Sequence, residues 1–238
     1  MKLGIIQTRG LGDIVIAAPI AMYYIDRGCD VYWPIDSTFI ASFSDAFPNI
    51  NFIPVDKEVT GSATAEYFYY GPLSELKKVN CENIICLYSH LTGFDLGHPR
   101  LKESLPFDAY KYAIAKVPFK EKWNFHPKRN VIREGLLFQK LELEPDSLYN
   151  LIHEEGSNFS VSLDQYIDNK SIRNIRISPI TDNIFDWIGV IERCQSAYLI
   201  DSVYANLTEQ MNIKINKKFI LRSPANLTPT LTNQWDLI

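Results

Sequence analysis

The chain has 238 residues, with 24 Lys and Arg against 28 Asp and Glu, a formal charge of −4. That length suits one large domain or two small ones with a real core, and the acidic balance argues against a surface given over to nucleic acid. No stretch reaches the roughly 18 apolar residues of a membrane span. The opening MKLGIIQTRG lacks a signal-peptide pattern, and Cys29, Cys81, Cys86 and Cys194 show neither CxxC nor zinc spacing. Reduced thiols and a cytoplasmic location are the expectation.

In chain order, KLGIIQ (2–7) reads as a short buried strand, followed by a helix from about Asp13 to Arg27 that is apolar nearly all round. Gly28 stands where a C-cap glycine belongs. DVYWPI (30–35) is a second strand, 37–46 a helix, NFIPV (51–55) a third strand and ENIICLY (82–88) a fourth. Strands alternating with helices predict right-handed βαβ units and a parallel sheet. Residues 99–142 are basic and aromatic, with a helix expected in their second part. Strand signals return at LYNLIH (148–153), IRNIRIS (172–178), AYLI (197–200) and KKFIL (217–221). Between them, Ile184, Trp187, Ile188 and Ile191 mark one face of a helix, and a further helix fits 203–211. The repeated βαβ pattern predicts an α/β protein of two Rossmann-like lobes with parallel sheets facing a central cleft, divided at 1–143 and 144–238 through a linker around Glu144 and Pro145.

The first turn, QTRGLGD (7–13), carries the chemistry. Ligands of open α/β sheets bind beyond the carboxyl ends of the strands, and a helix opening there points free N–H groups at them. Gly10 and Gly12 permit close backbone approach. A dinucleotide fingerprint is disfavoured, because Val15 stands at its third glycine and Asp13 would face a pyrophosphate. Asp13 on its own reads either as a helix cap or as a general base.

The stretch KLGIIQTRGLGDIVIAAPIAMYY resembles the opening of the ADP-heptose:lipopolysaccharide heptosyltransferases, glycosyltransferase family 9. Leu11, Gly12, Asp13 and Pro19 stand in matching places. The resemblance implies the two-lobed GT-B fold and an inverting, metal-independent sugar transfer from a nucleotide-sugar co-substrate to an acceptor hydroxyl. It implies no further cofactor. Asp13 is then the base that deprotonates the acceptor, with Gly10 and Leu11 on the acceptor side and Gly12 and Arg9 on the donor side. The likeness extends more weakly to AYLIDSVYANLTEQM, where Asp201, Ser202 and Asn206 fall near the donor-diphosphate turn. Val203 replaces that turn's glycine, and Asn206 stands near its histidine. NLIHEEGSNFS offers His153, Gly156 and Ser157 to the donor but lacks the lysine that would follow, for which Arg9 is the candidate substitute; Glu154 and Glu155 suit sugar hydroxyls better than phosphate. The ISPITDN loop contributes Ser178, Pro179, Ile180 and Thr181 as candidates to frame the base. As alternatives, Ser202 only caps its helix, and His153 only packs at a strand end.

Residues 99–133 hold nine Lys and Arg against three Asp and Glu, interleaved with Phe107, Tyr110, Tyr112, Phe119, Trp123 and Phe125. This segment reads as a wall for an anionic acceptor, with Lys111 and Trp123 as contacts, or as a solvated helical surface whose aromatics face the core; charge runs favour the second. The first keeps two alternatives open. One is a phage-type enzyme glycosylating hydroxymethylated DNA bases, and the other acceptor class is a glycan. A non-catalytic sugar-nucleotide or protein-binding module is the reading from outside enzymology, supported by the altered Asp-Ser-Val turn.

Overall fold

A computed structural model of the chain describes residues 1–56, 66–88, 99–156, 160–221, 228–232 and 234–238, and only the backbone at 99, 100 and 102. It starts with strand β1 (Lys2–Ile6) and helix α1 (Leu11–Ile25). Every side chain from Ile14 to Ala21 is buried, which is why a helix apolar on all faces forms here. That burial also holds α1 together across Pro19, which supplies no N–H to the helix ladder. The helix ends as its glycine predicts: Gly28 sits at φ +79 and donates its N–H to the Ile25 carbonyl at 2.8 Å.

Strands β2 (Asp30–Asp36), β3 (Asn51–Val55) and β4 (Asn83–Cys86) complete a four-stranded sheet, order β3-β2-β1-β4, with every pair parallel. Helix α2 (Ile40–Ala46) is preceded by a 3-10 turn at Ser37–Phe39, because the Asp36 carboxylate accepts from the Thr38 N–H and tightens the start. Helix α3 (Gly71–Lys78), behind a π-helical turn at Glu66–Tyr70, has no counterpart in the sequence reading.

A second sheet is built from β5 (Tyr149–His153), β6 (Arg173–Arg176), β7 (Ser196–Ile200), β8 (Asn216–Ile220) and β9 (Trp235–Leu237), order β6-β5-β7-β8-β9, again parallel throughout. The sequence does not announce β9. Its three residues are too few to show a period, and burial of Trp235 against Phe219 is what places it. The sheets thus match the α/β, parallel expectation. In each, the strand order reverses beside one strand, β1 in the first and β5 in the second, and those carboxyl ends are where ligands of such sheets bind.

Between the sheets lie α4 (Pro99–Ser104), α5 (Ala109–Ala115), a 3-10 turn at Phe119–Trp123 and α6 (Val131–Lys140); α7 (Ile188–Arg193) and α8 (Val203–Gln210) belong to the second half. One apolar cluster joins Ile14, Ala17 and Ile20 of α1 to Phe185, Ile188 and Leu207. The Gln210 side chain also donates to the Val15 carbonyl at 3.0 Å. Each fully buried Ile or Leu in this seam contributes about 1.5–3 kcal/mol. Helix α6 places Leu137 in the other large cluster, with Trp187 and Val190. Each of these two clusters holds residues from both sides of position 143.

The basic middle is only partly the solvated surface favoured above. Its aromatics do turn inward, with Tyr112 and Phe125 in the core. Two of its lysines turn inward as well. Lys122 is fully buried on Asp108 at 2.5 Å, and Asp108 also accepts from the N–H and hydroxyl of Thr230. Arg129 pairs with Glu134 and Glu192, and Arg133 with Asp182 and Asp186. Residue type and run length hide this, because burial of a lysine depends on a partner brought from far along the chain.

Candidate active site

A cavity of about 580 Å³ lies at the carboxyl ends of β1, β5 and β7. It is lined by the α1 turn from Gly10 to Asp13, by His153, Glu155 and Gly156 after β5, and by Asp201 to Tyr204 with Asn206 at the start of α8; Phe107 closes one side. Two helix N-termini, those of α1 and α8, open onto the same space.

Asp13 is the third residue of α1, and no side chain caps that helix. Its Oδ1 meets the Lys111 ammonium at 2.8 Å, with the lysine side chain 1% exposed and the aspartate 27%. A Cβ on Gly10 would lie 2.3 Å from Asp13 Oδ2, and Gly10 itself holds φ +83. A residue without a Cβ is therefore needed at position 10 on both counts. One carboxylate oxygen is held by Lys111, the other lies against Gly10, and the residue lines the cavity. Gly12 has a different use. A Cβ there would sit 3.2 Å from Asn206 Nδ2 and 3.8 Å from the Val203 backbone, so its smallness lets the two helix starts meet.

On the opposite wall, Ser202 occupies the N-cap position of α8 in extended conformation, yet its hydroxyl makes no capping bond. The Ser202 Oγ, Asn206 Oδ1 and His153 Nδ1 atoms are all buried with no hydrogen-bond partner. Asn206 Nδ2 donates to the Ser202 carbonyl at 3.0 Å, which aims its oxygen elsewhere. The His153 ring lies edge-on to Tyr204 at 4.7 Å, and burial lowers its pKa from 6.5 to about 4, so it is neutral at pH 7. Buried polar groups are normally paired, and here three unpaired ones gather beside the start of α8. The cap-only use of Ser202 is not what this geometry shows.

Of the residues singled out in the sequence, Gly10, Leu11, Gly12, Asp13, His153, Asp201, Ser202 and Asn206 line the cavity. Lys111 stands behind Asp13 rather than on the wall. Arg9 is exposed, its guanidinium 5.8 Å from the Tyr67 ring, and does not line the cavity. Trp123 is turned to α8, donating to Glu209 at 2.7 Å. Ser178 and Pro179 are exposed, while Ile180 and Thr181 line a separate cavity of about 350 Å³ with Arg133 and Lys140. Ser157 lies outside the described residues. Phe107 and Val203, noted in the sequence for the basic wall and the donor turn, line it too, while Tyr204 was not anticipated. For Tyr204 a signal existed, since an aromatic in the first turn of a helix that follows a strand end faces the same crevice. Among the described residues the cavity wall carries no cationic side chain, and none form a cluster of three groups able to hold a metal ion.

Two parallel sheets with helix starts converging on one cavity form an α/β arrangement that recurs among solved structures. The chain resembles a family 9 glycosyltransferase from Veillonella parvula with a TM-score of 0.69 at 11% identity, over 100% of this chain and 86% of that one. It also resembles E. coli heptosyltransferase WaaC with ADP-2-deoxy-2-fluoro heptose, TM-score 0.55 at 12% identity over 100% and 93% of the two chains. E. coli ADP-heptose LPS heptosyltransferase II gives 0.55 at 8%, over 100% and 90%. No family model matches the sequence, and no curated protein does. At these identities the likeness establishes the fold: the chain folds like the family 9 glycosyltransferases that its first turn resembles.

Proposed function

We propose that the chain is a two-lobed GT-B glycosyltransferase that moves a sugar from a nucleotide-sugar donor to an acceptor hydroxyl, with inversion and without a metal ion. The observation that carries this reading is the placement of Asp13, 27% exposed, and the open N-terminus of α8 on one cavity. In the proposed step, Asp13 Oδ2 takes the acceptor proton as the acceptor oxygen attacks the anomeric carbon. The bond from that carbon to the diphosphate oxygen breaks, and its electron pair leaves on the diphosphate. The first-turn N–H groups of α8 and its dipole receive that charge, together with Ser202 and Asn206. Residues 1–143 then form the acceptor lobe and 144–238 the donor lobe, with the cavity as the cleft between them.

A glycan acceptor is preferred to nucleic acid. Four of the nine cations in the basic middle that suggested an anionic acceptor, Lys111, Lys122, Arg129 and Arg133, are committed to internal pairs. The part-exposed Asp13 on the cavity favours catalysis over a binding-only module. Since WaaC is described with ADP and an ADP-sugar analogue, adenine nucleotides lead the donor screen. No helix among the described residues is long and apolar enough to cross a membrane.

The test is Asp13→Asn. Transfer is expected to fall by about 10²–10⁴-fold, the usual worth of a general base, while ADP still raises the melting temperature as in the parent. Turnover unchanged in Asp13→Asn removes the base assignment. Turnover lost on treatment with EDTA removes metal independence.

A further inference from the structure

The sequence poses a competition at Asp13, between capping α1 and acting on a substrate, and side chains remote in the chain resolve it. The Lys111 ammonium lies 2.8 Å from Asp13 Oδ1, 2.8 Å from Gln7 Oε1 and 3.5 Å from the Tyr110 hydroxyl. It also sits 4.9 Å from the centre of the Phe107 ring and 5.1 Å from that of Tyr110. The ammonium thus donates to Gln7 and Tyr110 and pairs with the Asp13 carboxylate, and two aromatic faces close around the charge.

The anchor is itself fixed. Gln7 is fully buried; its Nε2 donates to the Arg9 carbonyl at 2.9 Å, which turns Oε1 toward Lys111, and its own carbonyl accepts from the Trp33 indole at 3.1 Å. The Tyr88 hydroxyl accepts from the N–H groups of Thr8 and Arg9 at 2.8 and 3.2 Å. Tyr88 and Trp33 thus hold the backbone of the turn between β1 and Gly10 from outside it.

We propose that Lys111 is a positioning residue for Asp13: it draws Oδ1 inward, away from the free N–H groups of α1, and leaves Oδ2 at the cavity against the bare Cα of Gly10. The proposal rests on the reading of Asp13 as the base. An unrestrained aspartate in the first turn of a helix is attracted to that helix's own N–H groups, and an oxygen spent there cannot accept a substrate proton. Burial disfavours the lysine's charge, but Asp13 and Tyr110 more than offset it, so its pKa is raised. Lys111 therefore stays charged beside Asp13 in the fold.

Two measurements on the full chain test this. In a lysine ¹⁵Nζ spectrum at neutral pH, Lys111 is expected as a protected ammonium signal that shifts in Asp13→Asn. A signal indifferent to that substitution overturns the pairing, whatever the activity. Turnover is then read as nucleoside diphosphate released from ADP-glucose, UDP-glucose and GDP-mannose. Lys111→Met is expected to lower kcat by about 100-fold, the scale of a misplaced reacting group, with KM unchanged and with partial recovery in Lys111→Arg. The double variant Asp13→Asn/Lys111→Met is expected to be no slower than Asp13→Asn alone, because both act through one oxygen. Independent, multiplying losses, or a loss confined to KM, overturn the positioning role. A shifted ammonium signal with full turnover in Asp13→Asn instead shows that the pair exists while the base reading has failed.

Discussion

Two buried lysines of the same basic stretch make opposite uses of the same ion pair. Lys122 meets Asp108 with both side chains fully buried, and the Asp108 carboxylate is filled by Ala109, Lys122 and Thr230. Lys111 meets Asp13 with the lysine equally buried but the aspartate 27% exposed at a cavity, where one oxygen takes the lysine and no capping bond uses the other. The first pair is a closed knot tying the middle of the chain to its C-terminal segment. The second is half open. Chemistry alone does not tell a structural carboxylate from a reactive one; the number of its lone pairs left without a protein donor does.

Lys122→Met should cost about 3–5 kcal/mol of stability, since it strands a buried Asp108 charge, and chemical denaturation would read this directly. Lys111→Met leaves its aspartate in reach of water and is expected to cost clearly less. Equal costs would break the comparison.

His153 sharpens it as a buried group with no charge partner. Its pKa falls from 6.5 in the unfolded chain to about 4 in the fold. The stability it protects is therefore fully present above pH 6.5 and is lost as pH falls toward 4, by about 3 kcal/mol over that window. Tyr204 packs edge-on against it, and Glu155, Asp201 and Asp13 line the same cavity. His153→Gln should flatten the acid limb of a stability–pH curve; an unchanged limb would place the acid sensitivity elsewhere.

The smallest expected effect is at the seam between the two helix starts. Gly12→Ala pushes a methyl to 3.2 Å from Asn206 Nδ2 and should cost about 1–3 kcal/mol as overpacking. Because the clash is with α8 rather than Asp13, nucleotide-induced stabilisation should weaken while the Lys111 ammonium signal stays in place. The reverse pattern would mean that Gly12 serves the Asp13 side.

Much of this fold was legible beforehand. NFIPV is a strand over the residues expected, and the ends of β1, β2, β5, β7 and β8 lie within a residue of the apolar runs that predict them. Local periodicity carries such elements. The cavity was half legible: the α1 turn and the start of α8 were found because both follow strands, while Arg9 and Trp123, offered for their residue type, and the 178–181 loop, offered as a strand end by the resemblance, do not line it. Type says that a guanidinium or an indole can bind; it does not say which way the side chain leaves the backbone.

The sequence by itself determined the strand–turn–helix at Leu11-Gly12-Asp13, the parallel α/β class and the likeness to family 9. Each is written in contiguous residues and needs only local sterics and apolar spacing. The tertiary structure alone decided that Asp13 does not cap its helix, that Lys111 is buried behind it, and that Gly12 exists for Asn206. These outcomes depend on which distant side chains share a dry, low-dielectric space, where an ion pair or a missing methyl is worth several-fold more than at the surface. Only the folded chain selects those neighbours.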